Sequence, residues 1–236
     1  KMYGVRTENI FLTGYPLPAF FEDDLRRRLL NLDPDRKYFG KYEALVKEKI
    51  GELPESAGHP LTIMFSVGGA GAQKEIGIKI LKCLTPSVKQ GEIKIILSAG
   101  IKEKVKKYFE KNIERLGLKD NQNIEIIFGD SIESYFQRFN QALRETDILW
   151  TKPSELSFYS ALGLPIIITP AIGSQEDFNM RWLLKSGFGM FQGNINYTDQ
   201  WLFDWISQGS LAEAAMQGFV EGEKMGVSNI KIVCGF

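Results

Sequence analysis

The chain has 236 residues, 44% hydrophobic and 25% charged, the balance of a soluble globular protein long enough to bury a substantial core. Its 29 Lys and Arg offset 29 Asp and Glu, with a sequence pI of about 6.8, so no global field attracts nucleic acid. No apolar run approaches the roughly 20 residues that cross a bilayer and no signal-peptide pattern opens the chain. Cys83 and Cys234 make neither a zinc spacing nor a disulfide framework, which points to a reduced, cytoplasmic compartment. The first residue is Lys1, so a fragment or a processed form of a longer protein is expected.

Residues 1–21 hold one short predicted strand, 10–13, followed by Gly14-Tyr15-Pro16-Leu17-Pro18, and read as a segment arriving from an upstream domain. Residues 22–51 are strongly charged with helical period and predict two surface helices around a DPD turn. Asp33 and Asp35 spell a D-x-D, a motif that holds a metal and a diphosphate in some glycosyltransferases. It does not follow a core strand here, so capping of the second helix is the expected role. The single histidine, His59, lies on a loop beside Pro60, which leaves Ser-His-Asp and His-metal chemistry without support. Residues 1–57 are therefore expected to be an incoming segment plus a helical linker, and 58–236 the main domain.

Residues 61–67 (LTIMFSV) are the first clear core strand, and the turn Gly68-Gly69-Ala70-Gly71-Ala72-Gln73 leads into a helix with Ile76, Ile80, Leu81 and Leu84 on one face. A glycine-rich turn between a strand and a helix start is an anion site, because free N–H groups and the helix dipole both favour negative charge. A dinucleotide fingerprint needs a third glycine near Lys74 and an acidic residue after the next strand, which instead ends in Ser98-Ala99-Gly100. No Walker Lys-Ser/Thr is present either. Strands are predicted at 93–97 and 124–128, helices at 101–116 and 131–146. The basic run from Lys102 to Lys111 reads as a solvated helix face, and Ile132, Tyr135, Phe136, Phe139 and Leu143 as the inward face of the later helix.

The organising stretch is 147–187. Ile148, Leu149 and Trp150 form a short strand, Pro153 and Ser154 open a helix that Gly163 ends, and Ile166-Ile167-Ile168 suit a strand buried on both faces of a parallel sheet. Gly173, Ser174, Gln175, Glu176 and Asn179 then begin another helix. Two polar loops at successive strand ends make a candidate site, since ligands of open α/β sheets sit beyond the carboxyl ends of the strands. Residues 188–191 suit a short strand or turn, 199–207 and 211–225 are predicted helices with Trp201, Leu202 and Trp205 packing together, and the tail NIKIVCGF suits a last strand or the start of a further segment. The class is α/β, with a doubly wound, mostly parallel sheet.

TKPSELSFYSALGLPIIITPAIGSQEDFN resembles the donor-binding half of GT-B glycosyltransferases, nearest to the group with diacylglycerol sugar transferases and the N-acetylglucosaminyl transferase of peptidoglycan lipid synthesis. Thr151-Lys152-Pro153, Gly163-Leu164-Pro165 and Gln175-Glu176…Asn179 match that pattern, the 68–73 turn resembles the family's first glycine loop, and Tyr3-Gly4-Val5…Phe11 to Pro16 resembles the segment entering its second domain. The resemblance spans about residues 1–225. It implies a Rossmann-like C-terminal domain that binds a nucleotide-diphosphate sugar, a UDP-sugar being favoured. The catalytic base would lie on an N-terminal domain upstream, so no catalytic residue, metal or cofactor is expected in this chain. Partner expectations are that N-terminal domain and, through it, peripheral contact with the inner face of a membrane; no nucleic acid is expected.

The resemblance also implies residue roles. Gly68, Gly69, Gly71 and Ala72 would present N–H groups to the diphosphate and Gln73 a side-chain amide. Lys152 would offset phosphate charge, and Ser154 and Glu155 would be ligand contacts or a helix cap and first-turn acid. Gln175 and Glu176 would reach sugar hydroxyls, Asn179 would orient their loop, and backbone near Phe128-Gly129 would take the base. One position departs from the pattern. The family places a ribose-binding Glu five residues before the glycine of G-L-P, and here that residue is Phe158. Either Glu155 takes the ribose role from a shifted position or the ribose contact is lost. Three functions stay open: glycosyl transfer with this chain as the donor half, a degenerate domain kept for binding or assembly, and a nucleotide-sugar epimerase, a class that needs catalytic His and carboxylates not found here.

Overall fold

The computed structural model describes residues 4–14, 21–66, 71–154, 156–222 and 224–235. Among these, six strands form one wholly parallel sheet: β1 (Leu61–Ser66), β2 (Ile93–Gly100), β3 (Ile124–Phe128), β4 (Ile148–Thr151), β5 (Ile166–Ile168) and β6 (Gly189–Phe191), in the spatial order β3-β2-β1-β4-β5-β6. This is the doubly wound order, in which the chain runs outward from β1 to one edge and then returns to build the other half. Its switch point falls between β1 and β4.

Alternate residues of the central strands feed different cores because side chains alternate across a sheet. Ile63, Phe65, Ile95, Leu97 and Trp150 enter the larger core, while Met64, Ile96 and Leu149 face a second cluster under α6 (Ile132–Leu143). Helices α3 (Lys74–Cys83), α4 (Thr85–Gln90) and α5 (Glu103–Arg115) cover the larger core, and α3 lies close to β1 because Gly77 lacks a side chain. A Cβ there would stand 2.6 Å from the Phe65 ring.

The charged helices α1 (Phe21–Leu32) and α2 (Lys37–Ile50) are not a solvated appendage. Leu25, Leu29 and Leu32 of α1, with Tyr38, Val46 and Ile50 of α2, are buried in the same core as the sheet, each large aliphatic side chain contributing roughly 1.5–3 kcal/mol. The D-x-D of the connecting turn is a cap, as expected: Asp33 Oδ1 accepts from the N–H groups of Lys37 (2.7 Å) and Tyr38, and Oδ2 from that of Phe39 (2.7 Å).

The second half adds α7 (Leu156–Ala161), α8 (Ser174–Ser186), α9 (Thr198–Ser207), α10 (Ser210–Glu221) and α11 (Gly226–Cys234). α10 packs on α1, α2, α7 and α9, and Trp201 sits against both Trp150 and Trp205.

Three expectations need correction. The tail is the helix α11 rather than a strand: Ile230 and Ile232 mimic strand alternation, but Gly235 at φ +75° ends a helical turn, its N–H bonding to Ile232 O. Residues 10–13 form no strand and follow a single 3-10 turn, Thr7–Asn9. Ile132 and Phe136 do not point inward, being 55% and 54% exposed, because the first turns of α6 overhang an opening rather than the sheet. No described helix is long and apolar enough to cross a membrane.

Candidate nucleotide-sugar site

The carboxyl-terminal tips of β1, β4 and β5 lie side by side, as the strand order requires. Thr151 at the end of β4 donates its hydroxyl to Ser66 O on β1 (3.3 Å), and Thr169 N–H after β5 bonds to Thr151 O (3.0 Å). Gln73 then crosses from the turn after β1 to the turn after β5. Its Nε2 donates to Pro170 O (2.8 Å), and its Oε1 accepts from the Thr169 hydroxyl (2.7 Å). Gln73 holds φ +64°, a left-handed conformation that a residue with a side chain keeps only under local constraint; these two hydrogen bonds are that constraint. Its amide is committed to joining two loops rather than standing free for a ligand.

A second link joins the turn after β4 to α8. Lys152 Nζ pairs with Glu176 Oε1 at 2.8 Å, and the other carboxylate oxygen accepts the Ile172 N–H at 2.9 Å. Burial raises the Glu176 carboxyl, but the Lys152 and Ile172 hydrogen bonds outweigh it and hold the group below the usual carboxylate range. Asn179 Nδ2 donates to Pro153 O (3.1 Å), so the Asn179 side chain does orient this loop. Gln175 is exposed on the first turn of α8.

Beside these tips a cavity of about 490 Å³ opens between α6 and α7. Its polar end is formed by Ser66, Gly100, Lys102, Thr151, Lys152 and Ser154, and its apolar wall by Ile101, Ile132, Phe136, Phe139, Leu149 and the rings of Tyr135 and Tyr159. Tyr135 is set by a 2.9 Å hydrogen bond between its hydroxyl and Ser98, and α6 itself by a capping box between Ser131 and Ser134. Gly129 is buried where the sheet meets this helix. A Cβ there would come 2.4 Å from Tyr135 N, so only glycine fits, and its own N–H is bonded to Gly100 O. Gly71, at φ +71°, is buried against Val105, and Ala72 is half-buried.

Of the expected site residues, Lys152 and Ser154 line the cavity; Gln73, Glu176 and Asn179 tie neighbouring loops together, and Gly71, Ala72, Gly129 and Gln175 do not line it. Gly68, Gly69 and Glu155 lie outside the described residues. Phe158, at the position where the family pattern has Glu, packs on the larger core and edge-on to Tyr159, while Tyr159 is the α7 residue that lines the cavity. Sequence reasoning missed Thr151, Thr169, Tyr135, Tyr159 and Lys102. Their common signal is position one or two residues beyond a core strand, or on the first turns of the helix that follows. Among the described residues no group of three His, Cys, Asp or Glu converges to hold a metal.

His59 stands at the opposite end of the sheet. Its ring lies 3.6 Å from Asp147, whose Oδ2 accepts from Thr62 N–H (2.8 Å) and Asn31 (2.9 Å). Burial pushes the Asp147 carboxyl up to about 6, against the charges of His59 and Arg28 and these hydrogen bonds. Arg28, also buried, donates to the carbonyls of Thr146, Leu162 and Gly163, and burial lowers it to about 10.

A family model described as "Domain of unknown function (DUF6938)" matches residues 53–133, about a third of the chain, from the loop before β1 to the start of α6. No curated protein matches in sequence. Among solved structures, MurG from Acinetobacter baumannii aligns with a TM-score of 0.55 at 16% identity, over 77% of this chain and 51% of that one. UDP-GlcNAc 2-epimerase from Neisseria meningitidis, bound to UDP-GlcNAc, aligns with a TM-score of 0.50 at 12% identity, over 98% and 55%. The C-terminal CMP-Kdo binding domain of WaaA from Acinetobacter baumannii aligns with a TM-score of 0.52 at 6% identity, over 68% and 88%. The chain thus spans about half the length of MurG and of the epimerase, and most of the isolated WaaA domain. Its fold is the Rossmann-like fold seen in the C-terminal halves of GT-B glycosyltransferases.

Proposed function

We propose that this chain binds the nucleotide-diphosphate sugar, a UDP-sugar by preference, for a glycosyltransferase whose catalytic base lies on a separate N-terminal domain. The observation that carries this reading is the convergence of three neighbouring strand tips, tied by Gln73 to Thr169 and Pro170, on a cavity with a polar end and an apolar, aromatic wall. A polar end suits phosphate and sugar oxygens, and an aromatic wall suits a base. Of the structural neighbours, one is described as bound to UDP-GlcNAc and another as a CMP-Kdo binding domain. Ile10, Phe11 and Leu12 of the incoming segment and Ile230 and Val233 of α11 are exposed, and Asn229 of α11 donates to Thr13 O; these apolar side chains suit contact with a second domain. A cytoplasmic location follows from the nucleotide-sugar substrate.

An epimerase is disfavoured because His59 is engaged with Asp147 at the far end of the sheet. The degenerate-domain reading rests on Phe158, whose ring is given to packing. Calorimetric titration with UDP, UDP-glucose, UDP-GlcNAc and a GDP-sugar separates the readings. Heat with the uridine series and no sugar turnover by this chain alone is the expected result; no heat with any of them would leave the degenerate domain.

A further inference from the structure

We propose that Lys102, in the turn after β2, is the principal cation for the phosphates in this cavity, and that Lys152 positions a loop; this rests on the donor-binding reading. Both lysines line the cavity, but they are not equivalent. Lys152 is held at 2.8 Å by Glu176, so much of its charge is neutralised before any ligand arrives, and moving it would leave a half-buried carboxylate without its cation. The lysines in the first turns of α3 and α5 are likewise engaged: Lys74 pairs with Glu75, Lys106 with Glu110 and Lys107 with Glu103. Among the described residues Lys102 has no carboxylate within ion-pair distance.

Its backbone explains why this side chain is turned to the cavity. Lys102 is the N-cap of α5, with φ −100° and ψ 100°, and its carbonyl accepts from Val105 and Lys106 N–H. That extended conformation separates it from the helical face to which the rest of the basic run belongs. Its Cδ lies beside Gly71, 3.6 Å from where a Cβ on that glycine would be, so the stem rests on the turn after β1 and the ammonium reaches past it. A phosphate in the polar end would meet an unneutralised ammonium from the turn after β2 and the hydroxyl of Ser154 from the turn after β4.

The test is calorimetry with UDP, inorganic pyrophosphate and uridine on the wild type and on Lys102→Ala, Lys102→Met, Lys102→Arg and Lys152→Ala. Lys102→Met keeps the stem and removes only the charge. Both neutral variants should lose about tenfold to a hundredfold in affinity for UDP and for pyrophosphate, as for a lost charge-assisted hydrogen bond. Uridine binding should stay within about twofold, Lys102→Arg should retain most of the affinity, and Lys152→Ala should cost less than Lys102→Met. Unchanged UDP affinity in Lys102→Met, or a larger loss in Lys152→Ala, would overturn the assignment while donor binding stands. Wild type that takes pyrophosphate through Lys102 but no nucleotide would overturn the donor reading and keep the anion site. Wild type that takes neither would end both.

Discussion

The two ends of the parallel sheet carry polar clusters of opposite character. At the amino-terminal end Arg28, Asp147, Asn31 and His59 are closed in: Arg28 of α1 donates to Thr146 O and Gly163 O ahead of β4 and β5, and Asn31 of α1 donates to Asp147, which also accepts from Thr62 N–H of β1. At the carboxyl-terminal end Gln73, Lys152, Glu176 and Asn179 make hydrogen bonds of similar length, yet around an opening. Charge at the closed end was desolvated on folding and can only hold the chain together. Charge at the open end remains available to a ligand. Substitutions should therefore divide: stability changes with no effect on binding at one end, binding changes with little effect on stability at the other.

The largest effect is expected for Arg28→Met. It leaves three carbonyls without a donor and removes one of the positive charges near the buried Asp147, and should cost about 3–5 kcal/mol in urea unfolding. The next is a pH dependence. Because burial raises Asp147 from 3.8 to about 6, the folded chain keeps this proton longer than the unfolded chain does. Its contribution is complete below about pH 4 and declines, by about 3 kcal/mol in all, as pH rises to about 6. Unfolding curves of Asp147→Asn across that window should lack this decline, and their difference from wild type should level off above it.

At the open end Gln73→Ala breaks two hydrogen bonds between loops. It should cost about 1–3 kcal/mol in stability and weaken UDP as well, the one substitution expected to cross the division. The smallest structural effect belongs to Gln175→Ala, on an exposed first turn. Stability should stay within about 0.5 kcal/mol, while UDP-glucose binding weakens by about 1–3 kcal/mol and UDP binding does not. Equal losses for both ligands would move Gln175 from the sugar to the nucleotide.

Most of the frame was legible in the sequence because it rests on local signals. The apolar runs at 61–66 and 166–168 are strands in the structure. What was hidden depends on neighbours. Helical period groups Ile132 and Phe136 with Phe139, but period alone cannot tell a core from the wall of a cavity. Lys102 reads as one more lysine of α5 until the strand order sets β2 beside β1. Gln73 reads as an amide offered to a diphosphate, and only the return of the chain to β5 supplies Thr169 and Pro170 as its partners.

The central claim is that one ligand is held by the carboxyl-terminal tips and by nothing at the other end. Hydrogen exchange with and without saturating UDP tests it most directly. Slowed exchange should appear in peptides covering the turns after β1, β2, β4 and β5, with no change around Thr62 and Asp147. Protection confined to the Arg28–Asp147 end, or absent from the tips while UDP is bound, would contradict it.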